Sequence, residues 1–323
     1  MKIAVVEGDG IGKEVTPVAR AVISRLCPDI EFFDVEVGYG RWERTGSAVS
    51  PEDISLLGTA DAILFGAITT PPSPDYKSVV VQIRKALDLY ANVRPVWGKK
   101  FDMLIVRENT EGLYSGIEKI EEDSACTLRC ISRIGSERIA RYACSLARKR
   151  RDLTLGHKAN VLKSDVFFRD ICIDVANREG VPYKECYIDA LCLDVLQNPD
   201  RYDVIVTTNM FGDILSDVVA YLVGGLGLLP SANIGERHAL FEPVHGSAPD
   251  IAGRDIANPI AALRSAALLL RHIGEPQCAD LVEEAIQHVI SRGIRTRDMG
   301  GNAATSVFGR EVLEEVSYLL PKK

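Results

Sequence analysis

Short runs of consecutive apolar residues alternate along the chain with longer segments in which apolar residues recur every three or four positions. The apolar runs at residues 2–7, 62–67, 101–106, 153–155 and 202–208 predict buried strands. The periodic segments predict helices over 13–26 and 78–90, from Ser136 to Arg150, and from about Gly212. Strands that alternate with helices predict an α/β fold with a largely parallel sheet.

Polar residues cluster directly after these predicted strands. The clusters occupy residues 8–12, 66–72, 107–115, 156–160 and 207–217. In open α/β sheets, ligands bind in the crevice at the carboxyl ends of the strands. We therefore expect several of these clusters to line one ligand-binding cleft.

Length and composition narrow the class of protein. The chain has 323 residues, more than one hydrophobic core usually serves, so we expect two domains. The formal net charge of -7 argues against a nucleic-acid or anionic-membrane partner. No stretch has the length of a signal peptide core or a membrane span, and the eight cysteines form no C-x-x-C pair. We expect a cytoplasmic protein with reduced thiols.

Three arginines lie close to predicted strand ends or the loops beside them. They are Arg84, Arg94 and Arg107. A guanidinium group donates two parallel hydrogen bonds to a carboxylate, so this trio suits a substrate with two carboxylates. Any one of these arginines taken alone is more often a surface residue.

Two aspartates in the last polar cluster have the spacing of neighbours on a helix. Asp213 and Asp217 are four residues apart and share one helical face, where like charges repel unless a cation lies between them. Asp189 could add a third ligand, and three carboxylates suit Mg²⁺ or Mn²⁺. Spacing alone leaves open that Asp213 only faces a helix N-terminus and that Asp217 is only solvated.

Two further features carry candidate chemistry. Lys158 could act as a base and Tyr114 as a proton donor, although most residues of these types are structural or exposed. The loop at 242–253 is rich in small residues that suit a flat ligand, and Asp250 in it could bind a ribose diol and repel a 2′-phosphate. No G-x-G-x-x-G follows a strand, so the dinucleotide fingerprint of the Rossmann fold is absent.

Long motifs of this chain resemble those of the β-decarboxylating dehydrogenases, which include the 3-isopropylmalate, homoisocitrate and isocitrate dehydrogenases. The motifs are GDGIG at 8–12, LYANVRP at 89–95, VRENTEGLY at 106–114, HKANVL at 157–162, TNMFGDILSD at 208–217 and the loop at 242–253. The resemblance extends over nearly the whole chain, as far as residue 301.

The resemblance implies a two-domain isopropylmalate dehydrogenase-like α/β fold that is not a Rossmann fold. Residues 1–95 and 225–323 would form the first domain, on the cofactor side, and residues 96–224 the second. The second domain would form a homodimer, or part of a higher assembly, through an intersubunit β-arm at about 115–135. The two subunits would share their active sites.

The resemblance also implies roles for single residues. The catalytic residues would be Tyr114 and Lys158. The ligands of Mg²⁺ or Mn²⁺ would be Asp189, Asp213 and Asp217, with Asp189 and Lys158 coming from the second subunit. The substrate-binding residues would be Ser78, Val80, Val81, Arg84, Arg94, Arg107 and Asp189. The NAD-binding residues would be Ile11, Thr69, Asn160, Glu242, His245, Gly246, Ser247, Ala248, Pro249, Asp250, Ile251, Asn258 and Asp298.

The implied reaction is the NAD-dependent oxidation and decarboxylation of a 3-substituted malate. We favour 3-isopropylmalate, the substrate in leucine biosynthesis, because Val80 and Val81 stand where isopropylmalate enzymes carry apolar residues. Homoisocitrate and isocitrate remain alternatives within the family. NADP-using relatives carry Lys-Tyr where this chain has Asp250-Ile251, so we expect NAD. A non-catalytic regulatory subunit of an isocitrate dehydrogenase is the alternative outside enzymes, and the retained ligands argue against it.

Overall fold

The computed structural model describes residues 1–73 and 75–320. Within this part of the chain the strands are β1 Lys2–Gly8, β2 Glu31–Asp34, β3 Ala62–Ala67, β4 Ala91–Trp97, β5 Asp102–Glu108, β6 Glu118–Ile120, β7 Ala125–Thr127, β8 Leu153–His157, β9 Tyr183–Tyr187, β10 Val204–Thr207, β11 Pro230–Ile234 and β12 Ala239–Pro243. The α-helices are α1 Gly12–Leu26, α2 Tyr39–Thr45, α3 Pro51–Leu57, α4 Val79–Ala86, α5 Arg133–Ala147, α6 Lys163–Arg178, α7 Ile188–Gln197, α8 Asn209–Ala220, α9 Ile260–His272, α10 Pro276–Ser291 and α11 Thr305–Leu319.

The chain divides into two compact units. Unit 1 contains 1–87, 224–232 and 236–323, and unit 2 contains 88–223 and 233–235. Residues 321–323, at the end of the predicted first domain, lie outside the described residues. The cofactor-side and dimerisation roles of the two domains stay predictions.

The strands of unit 1 form a parallel arrangement in the order β2-β1-β3-β12. The apolar run of β1 is buried from Ile3 to Val6, as expected for a strand covered on both faces. Helix α1 packs against α9 and α11, and its side chains at Val15 and Val22 are fully buried. The carboxyl ends of β1 and β3 meet side by side, since Gly8 is paired with Ala67.

The strands of unit 2 follow the order β4-β5-β10-β8-β9. Strands β5, β10, β8 and β9 are parallel, whereas β4 runs antiparallel to β5 from Ala91 opposite Glu108 to Trp97 opposite Asp102. Helices α5 and α6 pack together over this sheet around Ile139 and Phe168. The pairing of β4 along its whole length explains why residues 88–95, which the sequence placed in the first domain, lie in unit 2.

The predicted strands are confirmed, but several predicted helix ends are wrong. The helix predicted at 78–90 ends at Ala86, and Asp88 takes a positive φ of 49° before β4 begins. Helix α5 begins at Arg133 because Ser132, not Ser136, accepts a hydrogen bond from the Gly135 amide at 3.0 Å. Helix α8 begins at Asn209, ahead of the predicted start at Gly212.

The segment predicted to form the intersubunit β-arm, at about 115–135, contains an exposed antiparallel hairpin of β6 and β7. Helix α5 begins at Arg133, so residues 133–135, at the end of the predicted arm, belong to that helix. Contact of the hairpin with a second chain stays a prediction. None of the helices in the described residues combines the length and apolar character needed to cross a bilayer.

Candidate active site

Asp213, in the first turns of α8, is the common acceptor of three side chains of unit 2. Its Oδ1 accepts hydrogen bonds from Arg94 Nη2, at 3.2 Å, and from the Arg107 guanidinium. Its Oδ2 accepts a hydrogen bond from the Tyr114 hydroxyl at 2.8 Å. Two predicted carboxylate-binding arginines and the predicted proton donor therefore converge on one predicted metal ligand.

Asp217 lies one turn further along α8. Its Oδ1 is 3.9 Å from Arg94 Nη1, and 60% of its side chain is exposed. Partial burial raises the pKa of the Asp217 carboxyl, and the neighbouring Asp213 carboxylate raises it further, against the lowering effect of Arg94. Two hard oxygen donors on one helical face fit Mg²⁺ or Mn²⁺, whose charge would offset this repulsion.

Arg107 is held in place by close packing and by an amide. It is the penultimate residue of β5 with 2% of its surface exposed, and its Nε and Nη2 donate to Asn209 Oδ1 at 2.9 and 2.7 Å. Its stem passes over Gly212, where an added Cβ would lie 2.6 Å from the Arg107 Cβ. Its guanidinium lies 5.3 Å from the centroid of the Tyr114 ring. The absence of a side chain at Gly212 therefore lets the guanidinium reach Asp213.

A chain of buried amides orients Arg94. Its Nε donates to Asn92 Oδ1 at 3.0 Å, and Asn92 donates in turn to Asn233 Oδ1 at 2.9 Å. Asn109 donates to the same Asn233 oxygen at 3.0 Å. Asn92, Asn209 and Asn233 are not among the site residues predicted from the sequence. Asn92 and Asn209 lie within the motifs LYANVRP and TNMFGDILSD next to apolar residues, and such a position is the signal that points to buried hydrogen bonds.

Lys158 and Asp189 form a separate pair in unit 2. Lys158 Nζ lies 2.7 Å from Asp189 Oδ2, and this hydrogen bond lowers the pKa of the Asp189 carboxyl. The turn that carries Lys158 is fixed by the buried Asp165, which accepts from the Lys158 amide at 2.8 Å. Among residues 1–73 and 75–320, Asp189 does not join Asp213 and Asp217 in a cluster whose ligand atoms all lie within 4.8 Å. Asn160, in the same turn as Lys158, is exposed.

In unit 1, one buried carboxylate connects two loops that follow strands to a helix. Asp9 accepts hydrogen bonds from the backbone amides of Tyr39 at 2.8 Å, Gly40 at 2.9 Å and Thr69 at 3.0 Å. Asp9 belongs to the loop after β1 and Thr69 to the loop after β3, while Tyr39 and Gly40 begin α2. The carboxylate therefore fixes these three segments relative to one another.

Ser247 joins the same network from the loop at 242–253. Its hydroxyl lies 2.6 Å from the Thr69 hydroxyl, and its carbonyl accepts from the Ile11 amide at 2.9 Å. Gly10 has a positive φ of 54°, and an added Cβ there would lie 2.0 Å from the Ser247 carbonyl oxygen. The predicted cofactor residues Ile11, Thr69 and Ser247 thus lie together, and the loops meet backbone to backbone.

Other predicted cofactor residues of unit 1 make contacts of their own. Asn258 donates to Asp298 Oδ2 at 2.9 Å. His245 Nδ1 lies 3.0 Å from the Gly246 carbonyl, while its buried Nε2 has no hydrogen-bond partner within the described residues. Burial lowers the pKa of His245, so the imidazole is neutral at pH 7 and its Nε2 can accept a hydrogen bond from a ligand. Gly246, Pro249 and Asp250 are exposed, and Ala248 and Ile251 are half-buried.

Arg84 lies on α4 of unit 1 and is buried. Its Nη2 donates to Glu242 Oε1 at 2.7 Å, so the predicted substrate-binding arginine pairs with a predicted cofactor residue. The half-buried Val80 and Val81 lie four and three residues before Arg84, on the same face of the helix. Ser78 is the N-cap residue of α4, but its side chain makes no capping hydrogen bond.

The chain is similar in sequence and in structure to known dehydrogenases. Residues 2–316 match the model of the family described as isocitrate/isopropylmalate dehydrogenase. A 3-isopropylmalate/3-methylmalate dehydrogenase from Methanocaldococcus jannaschii is 47% identical over 332 residues, with 98% of each chain covered. An isocitrate/homoisocitrate dehydrogenase from Thermus thermophilus is 45% identical, covering 98% of this chain and 99% of the relative. The crystal structure of an isocitrate dehydrogenase from Methylococcus capsulatus superposes with a TM-score of 0.94 at 40% identity, covering 98% and 99% of the two chains.

Replacement of Gly212 by alanine tests the packing under Arg107. A glycine-to-alanine change inside a helix normally stabilises it by about 1 kcal/mol. Here we expect the free energy of unfolding to fall by about 1–3 kcal/mol, because the new methyl group displaces the Arg107 stem. Urea denaturation measures the change. Gly40→Ala is the matched control, since its nearest neighbour would be 3.5 Å away, and equal effects of both changes would contradict the packing argument.

Proposed function

The chain belongs to the isocitrate/isopropylmalate dehydrogenase family and is a β-decarboxylating dehydrogenase, and we propose that it uses NAD and Mg²⁺ or Mn²⁺ to oxidise and decarboxylate a 3-substituted malate, preferably 3-isopropylmalate. The observation that carries this proposal is the convergence of Arg94, Arg107 and Tyr114 on Asp213. Two proposed carboxylate-binding groups and the proposed proton donor thus lie beside the proposed metal ligand.

Each proposed residue has a defined task in the reaction. Arg84, Arg94 and Arg107 bind the malate carboxylates, and Lys158 takes the proton of the C2 hydroxyl. When bound, NAD accepts the hydride from C2, and the divalent cation stabilises the negative charge on the C2 oxygen. The bond from C3 to its carboxylate then breaks and releases CO₂, and its electron pair forms an enolate. Tyr114 donates its proton to C3 and completes the product.

The preference for NAD follows from charge. The loop at 245–251 carries the exposed Asp250, which accepts hydrogen bonds from a ribose diol and repels the 2′-phosphate of NADP. The neutral His245 supplies an unpartnered buried acceptor in the same loop, which suits a donor such as the amino group of an adenine. The charge of Asp250 favours NAD over NADP, whereas the His245 acceptor suits the adenine that both cofactors carry.

The preference for 3-isopropylmalate follows from the surface of α4 next to Arg84. Val80 and Val81 present apolar groups there and no charge that would bind a distal carboxylate. Covering an isopropyl group with apolar walls contributes about 2 kcal/mol. Homoisocitrate and isocitrate are the second candidates, because the relative from Thermus thermophilus and the crystal structure from Methylococcus capsulatus carry those names.

We propose that the active protein is a cytoplasmic homodimer that shares its active sites. Within one chain, Lys158 pairs with Asp189, and Asp189 does not form a ligand cluster with Asp213 and Asp217 among the described residues. Lys158 and Asp189 are therefore available to the site of a second chain. Of thirteen exposed large apolar side chains in the described residues, ten lie in unit 2, as an interface there requires. They are Ile117, Ile120, Leu128, Ile134, Val161, Phe167, Tyr187, Leu193, Ile214 and Tyr221.

A comparison of kcat/KM across 3-isopropylmalate, homoisocitrate, isocitrate and D-malate tests the substrate. We expect 3-isopropylmalate to exceed D-malate by about thirtyfold, the equivalent of about 2 kcal/mol of apolar burial. Val81→Arg should lower the value for 3-isopropylmalate and raise that for homoisocitrate, because a distal carboxylate gains a partner. Leu56→Arg, at an exposed apolar residue of α3 in unit 1, is the control. A wild-type preference for homoisocitrate or isocitrate would replace the proposed substrate, and no turnover of any of the four with Mg²⁺ and NAD would favour a regulatory subunit.

The double change Asp250→Lys and Ile251→Tyr tests the cofactor. We expect the ratio of kcat/KM for NADP to that for NAD to rise by about tenfold or more, because a charge-assisted hydrogen bond replaces repulsion of the 2′-phosphate. Steady-state kinetics with both cofactors measure this ratio. Asp200→Lys, which also replaces an acidic residue by a lysine but lies in unit 2, should leave the ratio unchanged. An unaltered ratio in the double variant would count against the cofactor assignment.

Mixed dimers test whether sites are shared. Lys158→Ala and Asp213→Asn should each inactivate the homodimer. When the two are unfolded and refolded together, half of the dimers are mixed and each has one intact site, so about a quarter of wild-type activity should return. Mixing Lys158→Ala with Asp189→Asn should restore nothing, because both residues serve from the same chain. Recovery in the second mixture, or none in the first, would refute this arrangement.

A further inference from the structure

Two thiols and a carboxylate meet on unit 1 at residues to which the dehydrogenase reaction gives no role. Cys27 follows the last residue of α1, and Glu275 and Cys278 lie at the start of α10. We propose that Cys27, Cys278 and Glu275 form a binding site for a divalent cation of the Zn²⁺ type. This proposal is independent of the substrate and cofactor assigned above.

The three donor atoms have the spacing of metal ligands. The two sulfur atoms are 3.7 Å apart, Cys278 Sγ is 3.8 Å from Glu275 Oε2, and all three donors lie within 4.8 Å of one another. In a tetrahedral site with Zn–S bonds of about 2.3 Å, two sulfur ligands lie about 3.8 Å apart. Among the described residues, Cys27, Glu275 and Cys278 are the group of three potential ligands whose donor atoms lie close enough together to hold one ion.

The geometry fits a cation better than a disulfide. A disulfide needs the sulfurs at about 2.05 Å, far closer than they lie here, and gives Glu275 no role. A cation uses all three donors without moving the sulfurs and leaves a fourth position for water. On binding, each thiol loses its proton to solvent and becomes a thiolate ligand, so no oxidant or reductant takes part.

The donor atoms of this site differ from those of the proposed metal site at Asp213 and Asp217. Thiolates select borderline-soft ions such as Zn²⁺, whereas carboxylates alone suit Mg²⁺ and Mn²⁺. Asp29 follows Cys27 closely enough for its negative charge to act on that thiol, which adds to the attraction for a cation. Cys27 and Cys278 are half-buried and Glu275 is exposed, so an ion can enter from solvent.

Binding would join two parts of unit 1 that are 251 residues apart in the chain. Since the unfolded chain does not hold these ligands together, an ion bound here stabilises the folded state. The expected consequence is a rise in the melting temperature, with no change in the catalytic rate.

Cobalt titration of the reduced full-length protein tests the site. Co²⁺ bound by thiolates gives a sulfur-to-metal charge-transfer band, whereas Co²⁺ at a carboxylate site gives none. With a phosphine reductant and saturating Mg²⁺, we expect one equivalent of Co²⁺ to produce the band and Zn²⁺ to abolish it. Cys27→Ser and Cys278→Ser should each lose the band, and Glu275→Gln should weaken binding by about tenfold or more. Cys126→Ser, which removes an exposed thiol in unit 2, should retain it.

Thermal unfolding and turnover complete the test. Zn²⁺ should raise the melting temperature of the wild type and of Cys126→Ser, but not that of the two serine variants. Cys27→Ser, Cys278→Ser and Glu275→Gln should keep wild-type kcat/KM, which separates failure of this site from failure of the proposed reaction. A wild-type protein without the band, a band that persists in Cys27→Ser and Cys278→Ser, or oxidation of the two thiols to a disulfide without metal uptake would overturn the proposal. Glu275→Gln keeps both thiols, so if the serine variants fail to fold, weaker Co²⁺ binding by Glu275→Gln still tests whether this carboxylate is a ligand.

Discussion

The constraint on which unit 2 depends is the neutralisation of a buried guanidinium by Asp213. Arg107 is almost fully removed from solvent, and a buried charge is tolerated only when it is paired and hydrogen-bonded. Asp213 and Asn209, both from α8, satisfy Arg107 from one side, and Gly212 between them makes room for its stem. The electrostatic balance and the packing therefore fix how α8 lies against the end of β5.

A single carboxylate organises each of the main polar sites. Asp9 in unit 1 accepts from backbone amides of separate segments, Asp213 in unit 2 accepts from side chains, and the buried Asp165 fixes the turn of Lys158. Each carboxylate offers several acceptor positions, so one residue satisfies donors that come from distant parts of the chain. Because one carboxylate satisfies several donors, the loops at strand ends hold defined conformations without regular secondary structure.

The sequence predicts five strands correctly because they are short, continuous apolar runs, but it misses the buried strands β4, β11 and β12, which include polar residues or proline. It predicts helix ends less well: Ser136, the predicted start of α5, is buried inside that helix, and Ser132 is the residue that caps it. The candidate site is predicted as a set of residues through motifs, but the pairings are not. Arg84 meets Glu242 across 158 positions, and no local pattern encodes such a contact. The antiparallel course of β4 is likewise a result of long-range pairing with β5.

The order of segments along the chain bears on how the protein emerges from the ribosome. Unit 2 is nearly continuous, so its strands β4, β5, β8, β9 and β10 are all synthesised before residue 223. Unit 1 is split: β3 pairs with β12, and α1 packs against α11, from opposite ends of the chain. Because domains fold as units during synthesis, unit 2 can form while the amino-terminal segment of unit 1 still waits for its partners. Until β12 has been synthesised, the exposed edge of β3 has to be protected from pairing with another nascent chain.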